Sequence, residues 1–204
     1  MAKDFHVKKR GNTKRKQKAV YLIIAEGKNK TETLYLSNFQ EQGRDFYLHF
    51  VKAGSNTDAD SLYKTLVGKL KELGLSEAEG DRGFIVLDID NDERKAEKVN
   101  RLISKNNVKG IRFIVSNPTF EIWFLLHYRY TTKYFEDGDI VIKDLKKCIP
   151  DYDKNKDVYH ILEDKMEAAL KNAEKLSKHF KDEKWPSKEC NPQTDVGELV
   201  KNLE

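Results

Sequence analysis

The sequence contains little cysteine, and its two cysteines, Cys148 and Cys190, lie far apart. Their spacing matches neither a zinc-ligand pair nor a redox CxxC motif, which makes a zinc ribbon or a disulfide-rich secreted scaffold a poor fit. We therefore expect two reduced thiols in a cytoplasmic protein. No apolar run approaches the roughly 18 residues that a membrane-spanning helix needs, and the basic N-terminus lacks the apolar segment of a secretory signal.

Several nucleotide-binding and hydrolase motifs are also missing from the 204 residues. Without GxxxxGK[ST] there is no support for P-loop ATP binding, and without GxGxxG or GxSxG the dinucleotide-binding and α/β-hydrolase interpretations are weak. No histidine pair or His/Cys cluster has the spacing of metal ligands. The composition still supports one folded core, because hydrophobic residues make up 38% and aromatic residues 10% of the chain.

Positive charge is concentrated at the N-terminus. Residues 1–18 contain eight Lys or Arg and one Asp, a net charge of +7, whereas the rest of the chain has 30 basic and 33 acidic residues, a net charge of −3. A basic tail on a mildly acidic body is typical of proteins that bind a polyanion, so we expect a disordered tail that contacts nucleic acid. A disordered end that only improves solubility is the alternative.

Hydrophobic periodicity predicts strands that alternate with helices over residues 19–130. Apolar runs rich in β-branched residues predict strands at 19–25, 84–87 and 111–115, and a weaker alternation predicts another at 45–51. Helical spacing predicts helices at about 30–40, 58–73, 92–106 and 118–129, the last with Pro118 at its first position. This alternation is typical of an α/β fold, with a parallel sheet flanked by helices.

The last third of the chain has no convincing strand. Residues 157–180 form one long amphipathic pattern, and a short final helix is predicted from Asn191-Pro192 to about Leu203. We therefore predict a helical extension, residues 131–204, that packs on the core of residues 19–130 to form one globular unit. An amphipathic helix of this length either closes a core or makes a homodimer.

Polar side chains follow three of the predicted strands. Glu26-Gly27 follows the first, Asp88-Ile89-Asp90 ends the second, and Asn117 ends the third. In open parallel sheets, ligands bind beyond these carboxyl ends. Carboxylates at i and i+2 of a strand end face the same way, about 6–7 Å apart, which is close enough to share a hydrated Mg²⁺ or Mn²⁺.

Other side chains near this edge have both a functional and a structural interpretation. Glu26 is expected to act as a general acid or base or as a further metal ligand. Asp92 is either a ligand or the N-cap of the next helix, and Glu121 either supports the site or favours a helix dipole. Glu32 has the spacing of a capping box with Asn29. The remaining candidates for binding or supporting a substrate are Gly27, Lys28, Lys30, Asn117, Thr194 and Asp195.

These motifs resemble the Toprim fold of nucleotidyl-transfer enzymes and nucleases and, more specifically, the RloB-like (AbiLii-like) family linked to phage defence. The resemblance covers roughly residues 14–204 and rests on four stretches: residues 24–35, residues 87–90, Ser116-Asn117-Pro118-Thr119-Phe120-Glu121-Ile122-Trp123 and Asn191-Pro192-Gln193-Thr194-Asp195-Val196. It implies that Glu26 is the Toprim acid/base glutamate. It also implies that Asp88 and Asp90 are the metal-binding pair.

The resemblance further implies a reaction and a partner. Related Toprim defence proteins act as nucleases beside an ATPase, which this chain would need in trans. Ala25 stands where many relatives are expected to have Cys, and Ile89 stands where a polar residue, often Arg, is expected, a difference that would weaken a phosphate contact.

The leading hypothesis from the sequence is a Mg²⁺-dependent nuclease that cleaves DNA or RNA in abortive-infection defence. Two alternatives stay open. One is a non-catalytic nucleic-acid-binding or regulatory subunit of a defence complex, and the other is a phosphoacceptor, similar to a response regulator, that uses Asp88 or Asp90.

Overall fold

The computed structural model describes residues 18–26, 31–40, 44–55 and 57–204, and its strands form a five-stranded sheet. In chain order the strands are β1 (Ala19–Ala25), β2 (Phe46–Phe50), β3 (Arg82–Asp88), β4 (Ile111–Asn117) and β5 (Gln193–Thr194). Their spatial order is β2-β1-β3-β4-β5, with the first four parallel and β5 antiparallel to β4. The predicted α/β fold with a largely parallel sheet flanked by helices is confirmed.

Helices connect the parallel strands and make up most of the last third. Between the strands lie α1 (Thr31–Ser37), α2 (Ala59–Leu73) and α3 (Glu93–Lys105). After β4 come α4 (Glu121–Leu126), α5 (Gly138–Leu145), α6 (Tyr159–Leu162), α7 (Met166–His179) and, beyond β5, α8 (Val196–Leu203). Short 3₁₀ turns lie at Glu77–Glu79 and Glu163–Lys165. None of the described helices has both the length and the apolar character needed to cross a bilayer.

The central strands are apolar on both faces because a different layer covers each face. Side chains alternate along a strand, so Leu22 and Ile24 of β1 belong to an apolar cluster with α2 and α3. Ile23, between them, belongs to a second cluster with α1, α4 and the C-terminal helices. Helices thus occupy both faces, which confines polar side chains of these strands largely to their ends.

The helices of residues 131–204 pack on the same face of the sheet as α1 and α4, whereas Trp185 and Pro186 contact the opposite face and α3. Buried leucines of α5, α7 and α8, namely Leu145, Leu176 and Leu199, belong to the same apolar cluster as Ile23 and Trp123. Burial of such side chains contributes on the order of 1.5–3 kcal/mol each. The sheet and the C-terminal extension therefore share one apolar core. Cys148 and Cys190 are both free thiols.

The helix predicted over residues 118–129 is shorter, and its predicted start at Pro118 is wrong. The structure begins α4 at Glu121. The Pro118 carbonyl accepts a hydrogen bond from the backbone N–H of Asp90 at 3.2 Å, and the N–H of Ile122 donates to Thr119 O at 3.1 Å instead. The Pro118 carbonyl therefore supports the turn after β3, and residues 118–120 lie before the first residue of α4.

The last third departs from the sequence prediction in several places. A 3₁₀ turn divides the amphipathic pattern of residues 157–180 into α6 and α7, a break that leaves the same face buried and so does not disturb the hydrophobic spacing. β5 has two residues, too few for alternation to reveal. The sequence pattern predicts no helix where α5 lies, and α8 begins at Val196 and not at Asn191.

Candidate active site

The carboxyl ends of β1 and β3 bring two of the predicted acidic residues together. The backbone N–H of Glu26 donates to Val86 O at 3.0 Å, so the chain still follows β3 where β1 ends. The Glu26 side chain then lies against the end of β3, where its Oε2 accepts from the backbone N–H of Asp88 at 3.3 Å. The meeting of these two residues is the arrangement that adjacent parallel strands predict.

Thr119, in the turn before α4, links Asp88 to a further carboxyl group. Its Oγ1 lies 3.0 Å from Asp88 Oδ2 and 2.6 Å from Glu121 Oε2. A hydroxyl group has one proton, so it donates to only one of these oxygens at a time. The other contact is favourable only when that carboxyl carries its own proton or when a cation offsets its charge.

Two glutamates make this part of the site buried and acidic. Glu121 is 2% exposed, and its Oε1 accepts from the Tyr152 hydroxyl at 2.9 Å and lies 3.8 Å from Lys154 Nζ. Glu32, in the first turn of α1, is 8% exposed, and its Oε2 has no hydrogen-bond partner among the described residues. We call Glu32, Asp88 and Glu121 the inner group. A buried oxygen without a partner costs free energy that a proton or a bound cation would recover.

Burial and mutual repulsion raise the proton affinity of two members of the inner group. Burial, followed by the negative charges of Glu32, Glu121 and Asp90, raises the pKa of Asp88 well above its usual range. Burial, followed by the charges of Glu121 and Glu26, raises the pKa of Glu32 to about 7. Burial is the larger cause for both groups and the neighbouring carboxylates add to it, so the charged forms of Asp88 and Glu32 are disfavoured in this environment.

Glu26 and Asp90, which we call the outer pair, share one cation. Lys95 Nζ lies 3.3 Å from Glu26 Oε1 and 2.6 Å from Asp90 Oδ2. Burial alone would lower the pKa of Lys95, but its hydrogen bond to Asp90 and the charge of Glu26 raise it. The ammonium group therefore neutralises much of the charge of this pair.

The two aspartates of the DxD segment do not share one extended face. β3 ends at Asp88, and Asp90 has a φ of 49°, in the left-handed region. The alternation of side chains that applies along a strand does not extend through such a turn. Asp88 therefore belongs to the inner group, whereas Asp90 lies outside it on Lys95, and the expectation of a common face is wrong.

Asp92 and Asn117 make structural contacts beside the acidic residues. Asp92 is the N-cap of α3, and its Oδ1 accepts from the N–H of Arg94 at 2.8 Å, a bond that lowers the pKa of the carboxyl. The cap was one of the two interpretations left open by the sequence, and a metal role for Asp92 stays a prediction. Asn117 Oδ1 accepts from the backbone N–H of Asn91 at 3.0 Å.

Thr194 and Asp195 stabilise the edge of the sheet next to β4. Thr194 Oγ1 lies 2.9 Å from Ser116 Oγ in the β4–β5 pair. The Asp195 carboxylate accepts from the backbone N–H of Val115 at 3.2 Å and from Trp185 Nε1 at 2.9 Å. These side chains therefore contact β4 and Trp185, and their predicted part in substrate binding stays a prediction.

Three predicted site residues, Gly27, Lys28 and Lys30, and residues 1–17 of the predicted tail lie outside the described residues. Their contacts with a substrate stay predictions.

The sequence pattern missed several side chains that complete the site. Glu32 had a local signal, because its spacing from Asn29 fits a capping box and the first turn of a helix after β1 lies at the carboxyl edge. Lys95 is one of 38 basic residues and belongs to no motif. The other missed residues are Thr119, Tyr152 and Lys154.

The acidic side chains do not converge on one point. Within the described ranges, no group of three or more His, Cys, Asp or Glu side chains has the arrangement of a metal site. Lys95 lies between the members of the outer pair, and Thr119 lies between Asp88 and Glu121. Binding of a cation would therefore require some of these side chains to exchange partners.

Comparison with known proteins identifies the family. No curated protein and no solved structure matches the chain. A family model described as RloB-like protein matches residues 21–203, from within β1 to the end of α8. The match includes Glu26, the DxD segment and both Asn-Pro segments, and it covers nearly the whole chain. The chain therefore belongs to the RloB-like family.

Proposed function

We propose that the protein is a Mg²⁺- or Mn²⁺-dependent phosphodiester hydrolase that cleaves DNA or RNA. The observation that supports this proposal best is the group of acidic side chains at the carboxyl edge of the sheet, whose negative charge exceeds what Lys95 and Lys154 offset. Hydrolysis of a phosphodiester adds negative charge to the reacting phosphate, so an acidic site catalyses it only with the help of cations.

The carboxylates fit a hard divalent cation. Mg²⁺ binds few protein oxygens and keeps several waters, so two or three carboxylates are enough. Asp88 and Asp90 would hold the ion, with Glu26 or Glu32 as a further ligand. Glu32 Oε2 has no hydrogen-bond partner in the described part of the chain, so this oxygen is available to bind a metal ion. The bound ion supplies Lewis-acid stabilisation of the phosphate oxygens and lowers the pKa of an attacking water.

Glu26 is the residue we assign to proton transfer. Its side chain is 29% exposed, so it is accessible to a substrate, and the backbone N–H of Asp88 fixes its Oε2. Lys95 faces the same space. Once a divalent cation neutralises Glu26 and Asp90, the Lys95 ammonium becomes available to bind a phosphate oxygen of the substrate.

The biological role that we propose is antiphage defence by abortive infection, which the RloB-like resemblance implies. The basic residues 1–18 would attract the nucleic acid, so binding should weaken as salt rises. An ATPase would act as a partner in trans, since the chain has no P-loop motif. The strand-end glutamate and the DxD segment on neighbouring β1 and β3 support a Toprim-like core.

The test is cleavage of labelled DNA and of total tRNA with Mg²⁺, Mn²⁺ or EDTA, alone and with any ATPase encoded beside this protein. Wild type is compared with Glu26→Gln and Asp88→Asn, and Glu174→Gln on the exposed surface of α7 makes the same chemical change outside the site. We expect metal-dependent cleavage by wild type and Glu174→Gln, with both site variants inactive. Cleavage that persists in EDTA or in the site variants would contradict the proposal.

The second candidate is a non-catalytic regulatory or nucleic-acid-binding subunit. The observation that favours it is that Lys95 already neutralises the outer pair, an arrangement that also stabilises a site without metal. If wild type binds nucleic acid in a salt-sensitive way and cleaves nothing with or without the ATPase, this second function replaces the first.

A further inference from the structure

The turn after β3, which carries Asp90, has a backbone conformation that needs support. Asp90 and Asn91 have φ angles of 49° and 57°, and they are the non-glycine residues with positive φ in the described part of the chain. Asp and Asn tolerate the left-handed region better than other residues, yet each such position still costs free energy. Two in succession persist only where the surrounding structure holds them.

Backbone hydrogen bonds hold the turn on its inner side. The N–H of Ile89 donates to Ser116 O at 3.0 Å, and the N–H of Asp90 donates to Pro118 O at 3.2 Å. The N–H of Asp92 donates a hydrogen bond to Ile89 O at 2.8 Å, which closes the turn. β4 and the residues just after it therefore fix the beginning of the turn, but these bonds do not involve the side chain of Asn91.

The C-terminal extension holds the Asn91 side chain. Asn91 Nδ2 donates to the carbonyls of Phe135 and Glu136, at 2.8 Å each. Asn191 Nδ2 donates to Asn91 Oδ1 and also to Phe135 O at 2.7 Å, while Asn191 Oδ1 accepts from the N–H of Phe135 at 3.1 Å. Asn191 is 4% exposed, so these bonds are made away from water. The amide of Asn91 is thus fixed by residues 44 to 100 positions further along the chain.

Asn117 joins the same arrangement from β4. Its Oδ1 accepts from the N–H of Asn91 at 3.0 Å. Its Nδ2 lies 3.0 Å from Cys190 O and 3.3 Å from the carbonyls of Ser187 and Lys188. Asn117 is fully buried, so it connects the turn to the segment that leads to Asn191 without contact with solvent.

We propose that Asn191 is a positioning residue for the candidate metal ligand Asp90, and that through Asn91 the C-terminal extension sets the conformation of the turn. The inference rests on the proposed function for the role of Asp90, whereas its structural part is independent of metal. It gives a common role to two Asn-Pro segments that lie far apart in the sequence, because Asn117 and Asn191 both contact Asn91.

Two measurements test the proposal, amide hydrogen exchange in residues 89–92 of metal-free protein and Mn²⁺ affinity by titration. The variants are Asn191→Ala, which removes the bond to Asn91, and Asn91→Gly, which relieves the positive φ and removes the side-chain bonds. Asn172→Ala is the control, because Asn172 Nδ2 ties α7 to Leu126 O at 2.8 Å, away from the turn. Melting temperatures show whether each variant is folded.

In Asn191→Ala and Asn91→Gly we expect faster exchange of residues 89–92 and Mn²⁺ binding weakened by about 10- to 100-fold, the usual effect of losing a group that orients a ligand. Asn172→Ala should change neither quantity. Unchanged exchange in both folded test variants would overturn the proposal, as would faster exchange with unaltered Mn²⁺ affinity. If wild type binds no Mn²⁺ but exchange rises in the test variants, the support of the turn stands and the metal-dependent proposed function fails.

Discussion

The outer pair and the inner group consist of the same kind of side chain in opposite electrostatic states. Glu26 and Asp90 are accessible and share the ammonium group of Lys95. In the inner group Glu32 and Glu121 are buried and Asp88 is part-buried, Lys154 lies 3.8 Å from Glu121, and the pKa values of Glu32 and Asp88 are raised. A cation gains most free energy where the protein has not already offset the charge, so the inner group should decide how tightly metal binds.

The comparison also changes the meaning of the DxD segment. One aspartate of this segment lies in each part of the site, because the strand ends at Asp88 and the turn carries Asp90 outward. The segment thus links the inner group, through Asp88, to the accessible outer pair, through Asp90.

Asp88→Asn should have the largest effect, and it should separate activity from stability. We expect metal-dependent cleavage to fall by at least about 100-fold, since several kcal/mol of transition-state stabilisation depends on the ion. The metal-free protein should nevertheless melt at a higher temperature near neutral pH, because the variant removes a carboxyl group that ionises freely only after unfolding, and it supplies an N–H group to Thr119. Cleavage assays and thermal melts in EDTA measure the two effects. A lower melting temperature than wild type would show that the inner group is already neutralised.

The pH dependence of stability should sharpen the comparison next. The folded-state pKa of Glu32 is raised to about 7 from an ordinary value of 4.5, so between these values the native state holds a proton that the unfolded state has lost. Stability therefore falls as pH rises from 4.5 to 7, by about 3 kcal/mol at most, and the loss is complete above pH 7. Glu32→Gln should lack this loss. Urea unfolding of metal-free wild type and Glu32→Gln at several pH values measures the difference, and parallel curves would contradict it.

Lys95→Met should strengthen metal binding at the outer pair. Removal of the ammonium leaves Glu26 and Asp90 without their shared partner. Mn²⁺ should then bind about fivefold more tightly, as expected for loss of a competing, partly exposed ion pair worth up to about 1 kcal/mol. Lys98→Met is the control, because Lys98 pairs with Asp58 and Asp60 at the start of α2 and its exposure is similar to that of Lys95. Weaker Mn²⁺ binding in Lys95→Met alone would mean that Lys95 supports the site and does not compete for it.

The sheet was predictable because its strands are short apolar runs with regular alternation into helices. The four parallel strands are all indicated by the sequence, and the convergence of Glu26 and Asp88 follows from the order of adjacent strands. Pro118 misled the prediction since its residue type suits a first helical turn, while the tertiary bond from Asp90 N–H takes its carbonyl. Such a long-range hydrogen bond leaves no mark in the local pattern.

Asp88 and Glu121 were predicted site residues, but the burial of the inner group was not predictable, for a related reason. Glu32 fits a helix cap and Glu121 fits a favourable first-turn acid, so local rules explain both without a site. Their burial arises only when α1 and α4 pack on one face of the sheet, with Tyr152 and Lys154 from the extension closing over Glu121. The unfavourable environment of these two carboxyl groups arises from packing, so the structure reveals it and the spacing of residues in the sequence does not.

Asp92→Asn should have the smallest effect, and it tests whether the site ends at Asp90. Asn caps a helix about as well as Asp, so α3 should keep the bond from the Arg94 N–H and the melting temperature should stay near that of wild type. Mn²⁺ affinity should also be unchanged, because the Asp92 carboxylate contacts Arg94 and neither part of the site. Asp92→Ala should lower the melting temperature and leave Mn²⁺ binding alone. If Asp92→Asn weakens Mn²⁺ binding while the melting temperature is unchanged, Asp92 is a metal ligand and belongs to the site beside the outer pair.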